Sequence, residues 1–448
     1  MDRLVMQNPT ELSDAKKKLL EKYLRGKLPQ PEVQEVTIPR RTTLDEVPLS
    51  SGQQQMWLLS QLIPDTPVYN ECVTLHLPGL LNVDALTQSF HEITSRHEAW
   101  RTTFPQVDGQ PVQRIHASLD VPLPLVDLRY LPVDEREAEA VRLATIDGKR
   151  PFDLTNGSLL RALLIQLDDR EHRLYLTLHH IIFDGISIYQ VFLTELRTLY
   201  EAFVAGKPSP LPELPIQYAD VALWQRERLQ QHVLDKQLNY WKEQLKDAPA
   251  ALELPVDHPR PLTSSYHGST YPLSLSRSLT DALRTLSKRE GCTLYMMMIA
   301  AFKTLLFRYT GQQDILVGTA TGGRNRPEMQ KLLGVFINML VMRTQLTGEM
   351  SFRELLGHVK EETLDAHAHQ DVPFEYLVKK LQPERSMGYN PFFQVLFMLE
   401  PPASVLPSGW TLTHMDIKTD TSKFDLSLIL EDSPEGLNGY FEYSTDLF

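Results

Sequence analysis

The chain has 448 residues, too many for one ordinary hydrophobic core, and length alone suggests two to three domains. Its formal net charge of -12 argues against nucleic acid as a partner, because phosphate binding relies on clustered cations. Two cysteines cannot build a disulfide framework. We find neither an apolar signal core nor a run approaching the roughly 18 apolar residues of a membrane span. We therefore expect a cytoplasmic protein that binds no membrane.

The first hundred residues predict a short helix, a linker and the start of a folded body. The predicted elements are an amphipathic helix at 10–26, a polar, proline-punctuated linker to 41, a helix from 50, a strand at 73–77 and a helix at 83–97. Trp57 is expected on the buried face of the helix that starts near Ser50.

The residues that can carry chemistry gather in the stretch 174–187. Residues 174–178 alternate as in a half-buried strand, and His179 and His180 end it. Because neighbouring strand residues face opposite sides of a sheet, we expect one histidine to point into a site and the other to be structural. Gly185 marks a point where the backbone turns or lets a ligand approach closely.

A neutral imidazole can accept a proton from a nucleophile at physiological pH and pass it on. Asp184 allows two interpretations, and the sequence leaves both open. It would orient the imidazole if it faced the ring, whereas turned away it would be a buried carboxylate that needs an arginine or backbone donors. A single histidine at a strand end is usually structural, but His-His-x-x-x-Asp-Gly after a strand is a far more specific pattern.

The rest of the chain repeats strand and helix patterns around two proline-rich breaks, at 207–215 and 254–261. The predicted elements are helices at 188–200, 218–241, 279–287 and 293–309 and a buried strand at 314–319. The helix at 293–309 is apolar nearly all round, which predicts that it is buried.

Residues 179–185 match, position for position, the HHxxxDG signature of the condensation domains of nonribosomal peptide synthetases, within the chloramphenicol-acetyltransferase-like superfamily. Six more segments resemble motifs of that family, in the family's order: 50–59, 95–104, 218–225, 333–343, 367–375 and 385–395. The chain departs from the family pattern at Gly52, Gln55, Val221 and Met339. On these motifs the chain is identified as a member of the family.

The resemblance implies an α/β fold of two chloramphenicol-acetyltransferase-like lobes, which form a V-shaped pseudo-dimer with a central tunnel and His180 near its middle. We expect residues 1–44 to be a helix and linker that follow an upstream carrier domain, residues 45–215 to form the N-lobe and residues 216–448 the C-lobe. We also expect an excised, monomeric piece of a larger synthase, since the chain stops where such domains hand over to an adenylation domain.

The reaction implied by the resemblance is amide formation between a donor acyl thioester and the amine of an acceptor aminoacyl thioester. Both are carried on phosphopantetheine arms of an upstream and a downstream carrier domain, which enter as substrates, and we expect no cofactor or metal on the domain itself. Much of the rate can come from placing two tethered reactants in one dry channel. The resemblance assigns amine orientation and deprotonation to His180 and oxyanion binding to the Gly185 N–H, with His179 and Asp184 structural.

Further residues enter as candidates around this centre. The resemblance implies an arginine that pairs with Asp184, and we favour Arg96 over Arg101. Candidate tunnel residues are Ser187, Trp57, Asn338 and Gln394, and the glycine-rich loop 322–327 is a candidate for the tunnel floor because it lacks phosphate-loop spacing. His367 and His369, two residues apart on a helix, point to different faces and disfavour a metal site.

Other members of the superfamily are alternatives. A heterocyclisation domain would carry DxxxxD at 179–185, and an epimerisation domain an EGHGRE-like segment, and the sequence has neither. A noncatalytic domain that binds carriers or recruits other enzymes would have a degenerate signature, whereas both histidines and Asp184 are intact. The form of residues 183–187 and the basic leader 16–26 look like domains that follow a polyketide carrier; the donor is thus a polyketide chain or, alternatively, a peptidyl group.

Overall fold

A computed structural model describes residues 37–42, 46–383, 388–400, 406–407, 409–413, 417–433 and 435–448. The predicted helix at 10–26, with the basic leader, lies outside the described residues. The helices are α1 Ser51–Leu62, α2 Val83–Arg96, α3 Val133–Lys149, α4 Leu193–Val204, α5 Tyr218–Gln230, α6 Asp235–Gln244, α7 Arg277–Arg289, α8 Leu294–Thr310, α9 Phe352–Ala368 and α10 Phe374–Leu381. The strands are β1 Val47–Pro48, β2 Asn70–Pro78, β3 Thr102–Thr103, β4 Gln106–Val107, β5 Gln110–Ile115, β6 Leu125–Asp127, β7 Leu160–Asp168, β8 Glu171–His179, β9 Gly268–Ser276, β10 Asp314–Thr321, β11 Asn338–Gln345, β12 Val395–Glu400, β13 Thr411–Thr413, β14 Leu426–Ser433 and β15 Gly436–Ser444.

One predicted element is wrong: the helix expected at 218–241 is two helices, α5 and α6. The helix is interrupted between them, where His232 has a φ of 57°. A helix cannot pass through a left-handed residue, yet the sequence has no glycine or proline there to signal the break. The predicted helix at 188–200 is confirmed, but its first turns, Ser187–Phe192, are π-helical.

The first sheet has five strands in the order β13-β2-β8-β7-β6 and carries the HHxxxDG segment at the end of β8. α2 and the 3-10 turn 98–101 pack on the π-helical turns before α4 through aromatic side chains, with the Phe90 and Phe192 ring centroids 5.7 Å apart and those of Trp100 and Phe192 5.1 Å apart. β13 comes from the C-terminal part of the chain, so the two halves share this sheet.

The second sheet has six strands in the order β11-β10-β12-β14-β15-β9. One face packs against α7, α8 and α9. α8 begins where the Thr293 side chain accepts the Met296 N–H and ends at Gly311, whose φ of 70° suits glycine. Among the described residues no single helix is long and apolar enough to cross a membrane; only the pair α7 and α8, bent by 105°, reaches that composition together.

We predicted the boundary between the lobes at 215/216, but the packing of the two cores places the boundary later in the chain. α5 belongs to the first core: the Tyr218 and Ser50 hydroxyls are 2.8 Å apart, and a 2.9 Å ion pair joins Arg41 to Asp220. The second core begins only at Leu234, after the break between α5 and α6.

We expect two glycines of this fold to respond oppositely to alanine. A Cβ at Gly318 on β10 would meet the Phe393 ring at 2.1 Å, so Gly318→Ala should destabilise the protein by about 1–3 kcal/mol through overpacking. Gly357 is exposed within α9 and has open space, so Gly357→Ala should stabilise by about 0.5–1 kcal/mol. Thermal melting checks both signs, and an unchanged midpoint for Gly318→Ala would contradict the packing.

Candidate active site

The HHxxxDG segment connects β8 to the helix that becomes α4. His179 is the last residue of β8, residues His180–Ile182 form a single 3-10 turn, and the new helix starts at Gly185. The His180 N–H donates to the Tyr69 carbonyl at 2.8 Å, which holds the turn against the residue preceding β2.

His179 is a structural residue in this geometry. Its side chain is buried, its Nδ1 accepts the Ile181 N–H at 3.2 Å, and its ring meets Tyr69 and Phe152 edge-on at centroid distances of 6.0 and 6.1 Å. Burial, with His180 and Lys423 nearby, lowers the pKa of His179 to about 3. The ring is therefore neutral at physiological pH, and its Nδ1 already accepts the Ile181 N–H.

His180 differs from its neighbour in both exposure and partners. Its side chain is partly exposed and stacks on Phe183 at a centroid distance of 5.0 Å. Its Nδ1 has no hydrogen-bond partner among the described residues. Burial lowers the pKa of His180 below the ordinary imidazole value, with a smaller contribution from Lys423, although Glu71 and Asp184 act in the opposite direction. The imidazole is thus neutral, and since Nδ1 is itself buried, a substrate can meet only the exposed part of the ring.

Asp184 is a fully engaged buried carboxylate, the second of the two interpretations left open by the sequence. Its Oδ2 accepts from Arg324 Nη1 at 2.7 Å and from the Phe336 N–H at 2.8 Å. Its Oδ1 accepts from the Ser187 N–H at 2.8 Å, which caps the helix that begins at Gly185. No hydrogen bond joins Asp184 to His180 in the described part of the chain.

The predicted partner of Asp184 is wrong. Arg96 donates from Nε to Glu195 on α4 at 3.0 Å, and Glu195 also bonds His97 Nε2 at 2.8 Å. Arg101 lies 3.8 Å from Glu98 instead. The arginine that neutralises Asp184 is Arg324, in the glycine-rich loop, and it is only 3% exposed. Sequence reasoning missed it because 140 residues separate the pair.

Three of the four candidate tunnel residues are buried and enclosed by other side chains, so those predictions are wrong. Trp57 donates from Nε1 to the Phe104 carbonyl at 3.2 Å within the first core. Ser187 is fully buried, and its hydroxyl accepts from Arg324 Nη2 at 2.7 Å. Gln394 is 2% exposed and accepts the Leu252 N–H at 2.7 Å. Each side chain is too well enclosed to meet a substrate.

Asn338 does line a cavity, although its place in a substrate tunnel stays a prediction. The cavity lies between the start of α1, α5 and the loops before β11 and α10, and its lining includes Gly52, Trp224, Phe336 and Glu375. Gly323 and Asn325 of the glycine-rich loop also line it. The Asn338 side chain fixes one wall of the cavity, because it donates to the Gln370 and Val372 carbonyls at 2.8 Å.

Gly185 lies beside a second carboxylate that sequence reasoning missed. A Cβ on Gly185 would lie 3.6 Å from Glu400 Oε2 and 3.5 Å from the Tyr189 ring. Glu400 is the last residue of β12. The signal that the sequence offered for it was an acidic residue at the end of an apolar strand.

The described residues contain no group of three or more His, Cys, Asp or Glu side chains that could hold a metal ion. His369 instead stacks on Tyr240 at 3.9 Å and bonds the Asp365 carbonyl through Nδ1 at 2.7 Å.

Comparison with known proteins decides the family. The model of the condensation domain matches residues 43–448. The chain belongs to the condensation-domain family. One of the linear gramicidin synthase proteins of Brevibacillus parabrevis is 48% identical over 421 residues, 93% of this chain but 8% of the synthase protein. The phosphinothricin tripeptide synthetase PhsC of Streptomyces viridochromogenes is 42% identical over 445 residues, 98% of this chain and 40% of the synthetase.

Solved structures agree with the fold of a condensation domain. The X-domain from teicoplanin biosynthesis superposes with a TM-score of 0.81 at 28% identity and covers 92% of each chain. The same domain in complex with OxyB gives a TM-score of 0.80 at 27% identity, covering 93% of this chain and 92% of that one. The chloramphenicol-acetyltransferase-like α/β fold is therefore confirmed, and so is membership in a family that forms amide bonds from carrier-bound phosphopantetheine thioesters.

A double-mutant cycle tests the partner of Asp184. Removing one member of a buried ion pair leaves an uncompensated charge, so Arg324→Met should destabilise the condensation domain by about 3–5 kcal/mol. Asp184→Asn combined with Arg324→Met should show a coupling of about 0.5–3 kcal/mol in chemical unfolding.

The matched control uses the arginine that the sequence favoured. Asp184→Asn and Arg96→Met should add within about 0.5 kcal/mol, because Arg96 pairs with Glu195 and not with Asp184. Coupling through Arg96 and additivity through Arg324 would together contradict the observed pairing.

Proposed function

We propose that this condensation domain joins a donor acyl thioester to the amine of a carrier-bound acceptor aminoacyl thioester at His180. The observation that carries the proposal is the contrast between the two histidines. His179 is buried and its Nδ1 accepts the Ile181 N–H, whereas the His180 ring is partly exposed and neutral. A substrate amine is the kind of group that such a ring can hydrogen-bond and deprotonate.

The reaction needs one proton transfer and no external reagent. The amine nitrogen attacks the donor carbonyl carbon, the C–N bond forms, and the C–S bond breaks. The proton lost by the amine passes through the His180 imidazole to the departing thiolate, so the products are an amide and a free thiol. Thioesters are activated acyl groups, and holding both in one channel supplies a large part of the rate.

Gly185 is the proposed donor to the oxyanion. It is the first residue of the helix that continues into α4, and the N–H groups of a first helical turn have no partner within the helix. They also lie at the positive end of the helix dipole, which suits a developing negative charge. The Asp184 carboxylate fixes this turn by accepting the Ser187 N–H at 2.8 Å.

For the donor we propose an aminoacyl or peptidyl group carried on a partner carrier domain. Support comes from the two peptide synthetases, which share 48% and 42% identity with this chain. The basic leader 16–26, one of the two features behind the polyketide donor, lies outside the described residues. The other feature is the form of residues 183–187. In this segment Ser187 donates to the Asp184 carboxylate and the pair caps a helix, a role that is not specific to one acyl chain.

A noncatalytic recruitment domain is the second candidate. The observation in its favour is the likeness to the X-domain, which has been solved in complex with OxyB. The intact signature and the available His180 ring favour catalysis instead.

Replacing His180 tests the proposal. We expect His180→Ala to lower amide formation at least tenfold, because the loss of an acid-base group typically costs about 10²–10⁴ in rate. The assay combines a donor acyl carrier with an acceptor aminoacyl carrier and reads the product by intact mass, with peptidyl and polyketide-type donors in parallel.

His232→Ala is the matched control, because this exposed histidine lies on the surface between α5 and α6 and should leave the rate unchanged. Wild-type protein that binds both carriers but forms no amide with either donor would make recruitment the better proposal.

A further inference from the structure

One segment from the second half of the chain lies against the first half. Strand β13 pairs with β2, and residues 417–425, further along the chain, contact the first half through two ion pairs. Lys149 on α3 pairs with Asp420 at an N···O distance of 2.5 Å, and Lys423 pairs with Glu71 on β2 at 2.7 Å. We call residues 417–425 the crossover segment. It is therefore fixed to the first half at two separate points.

The backbone of Lys423 is held on both sides within the crossover segment. Its N–H donates to Glu442 Oε1 at 3.4 Å, and its carbonyl accepts from Asn390 Nδ2 at 3.0 Å. Asn390 belongs to the motif-like segment 385–395. Because the backbone is bonded in both directions, the Lys423 ammonium group can reach only a small region on the first half.

That region lies beside the turn that carries His180. Lys423 Nζ is 5.6 Å from the centroid of the Tyr69 ring, and the Tyr69 carbonyl accepts the His180 N–H at 2.8 Å. Glu71, the partner of Lys423, is paired in register with Leu178 near the end of β8. The ion pair and the histidine are thus neighbours in the fold, although 352 residues separate Lys423 from Glu71.

The two members of this ion pair act on His180 in opposite directions. Burial has the largest effect and lowers the pKa of the imidazole; among the charged groups Lys423 comes next and lowers it too, whereas Glu71 raises it. Burial lowers the pKa of the Lys423 ammonium group, but Glu71 and Glu442 raise it by more, so Lys423 stays a cation. A cation near an imidazole disfavours the imidazolium form.

The other titratable groups around His180 are neutral or already paired. These groups are Asp184, His179, Glu400, Tyr69, Tyr189 and Tyr440. Asp184 is paired with Arg324 at 2.7 Å, and burial lowers the pKa of His179 to about 3. Burial raises the pKa of the three phenols, and with Glu71 nearby it raises the pKa of Glu400 to about 7. Glu400 is thus mostly protonated below the ordinary imidazole value of about 6.5, where His180 titrates.

We propose that Lys423 is a positioning residue of the condensation reaction, whose ammonium group, held beside Tyr69 by Glu71, keeps the His180 ring in its neutral form. The inference rests on the proposed function, in which the ring must be neutral to accept the proton of the attacking amine. Glu71 has two effects in this arrangement. It holds the cation in place, and it offsets part of the positive charge that the ring meets.

A purely structural ion pair would behave differently. The Lys423 and Glu71 side chains are 30% and 42% exposed, and pairs as exposed as this contribute little to stability. Breaking such a pair from either side would loosen the crossover segment in the same way. An electrostatic role predicts opposite effects, because Lys423→Met removes a positive charge near the ring and Glu71→Gln removes a negative one. Water screens both charges, so we expect changes of about 0.3–1 pH unit.

Titration of the His180 ring by NMR tests the proposal independently of catalysis. The full chain carries isotope-labelled histidine, and the His180 signal is the one that His180→Ala removes. Lys423→Met should raise the midpoint of the His180 titration by at least about 0.3 pH unit, Glu71→Gln should lower it, and Lys423→Arg should keep it close to wild type. The acid limb of amide formation should move in the same directions, because an imidazolium cannot accept a proton.

Lys149→Met is the matched control, because it breaks the other ion pair of the crossover segment and should leave the His180 midpoint unchanged. An unchanged midpoint in Lys423→Met, or shifts in the same direction in Lys423→Met and Glu71→Gln, would overturn the proposal. An equal shift in Lys149→Met would also overturn it, since loosening the segment would then be sufficient. If wild type forms no amide while the midpoints move as expected, the role of Lys423 on the ring stands and the proposed function alone is contradicted.

Discussion

The buried ion pair between Asp184 and Arg324 is the constraint on which the candidate site depends. The two side chains are 2% and 3% exposed and 2.7 Å apart, and they join the turn after β8 to the loop after β10. Asp184 accepts two hydrogen bonds from Ser187 and one each from Arg324 and the Phe336 N–H. A carboxylate satisfied on both oxygens has one favourable position, so the backbone from His180 to Gly185 is fixed relative to both lobes.

The same pair explains why glycines surround the loop. A Cβ at Gly322 would meet Ile186 at 2.2 Å, and one at Gly334, whose φ is 154°, would meet the Tyr218 ring at 2.1 Å. The loop comes this close because Arg324 must reach Asp184 across the junction of the lobes. Its guanidinium then covers the Phe336 ring at 4.1 Å, so the charge is paired on one side and packed on the other.

Local patterns could be predicted from the sequence, whereas pairings across the chain could not. β2, α2, α8 and β10 follow from periodicity within each segment, and the HHxxxDG site follows from one contiguous stretch. Arg96 was favoured as the partner of Asp184 because it belongs to a motif, but its neutralising group is Glu195, which reads as an ordinary residue of an amphipathic helix. Trp57 and Gln394 were recognised as motif residues, yet a motif does not say whether a side chain faces a tunnel or a core. The pairing of Glu400 with Glu431 needs β12 and β14 to be neighbours in the sheet, and no local pattern encodes that order.

Desolvation acts in opposite directions on the two titratable groups beside Gly185. It lowers the pKa of His180 from the ordinary imidazole value and raises the pKa of Glu400 to about 7. An α-amine titrates at about 7.7–8.0, and each unit of difference in pKa corresponds to about 1.36 kcal/mol. Burial therefore brings the carboxyl group close to the amine in proton affinity, although the two differ by several units in water. His180 therefore stays neutral and keeps its lone pair to accept the proton of the attacking amine, while Glu400 gains a proton more readily than a carboxyl group in water.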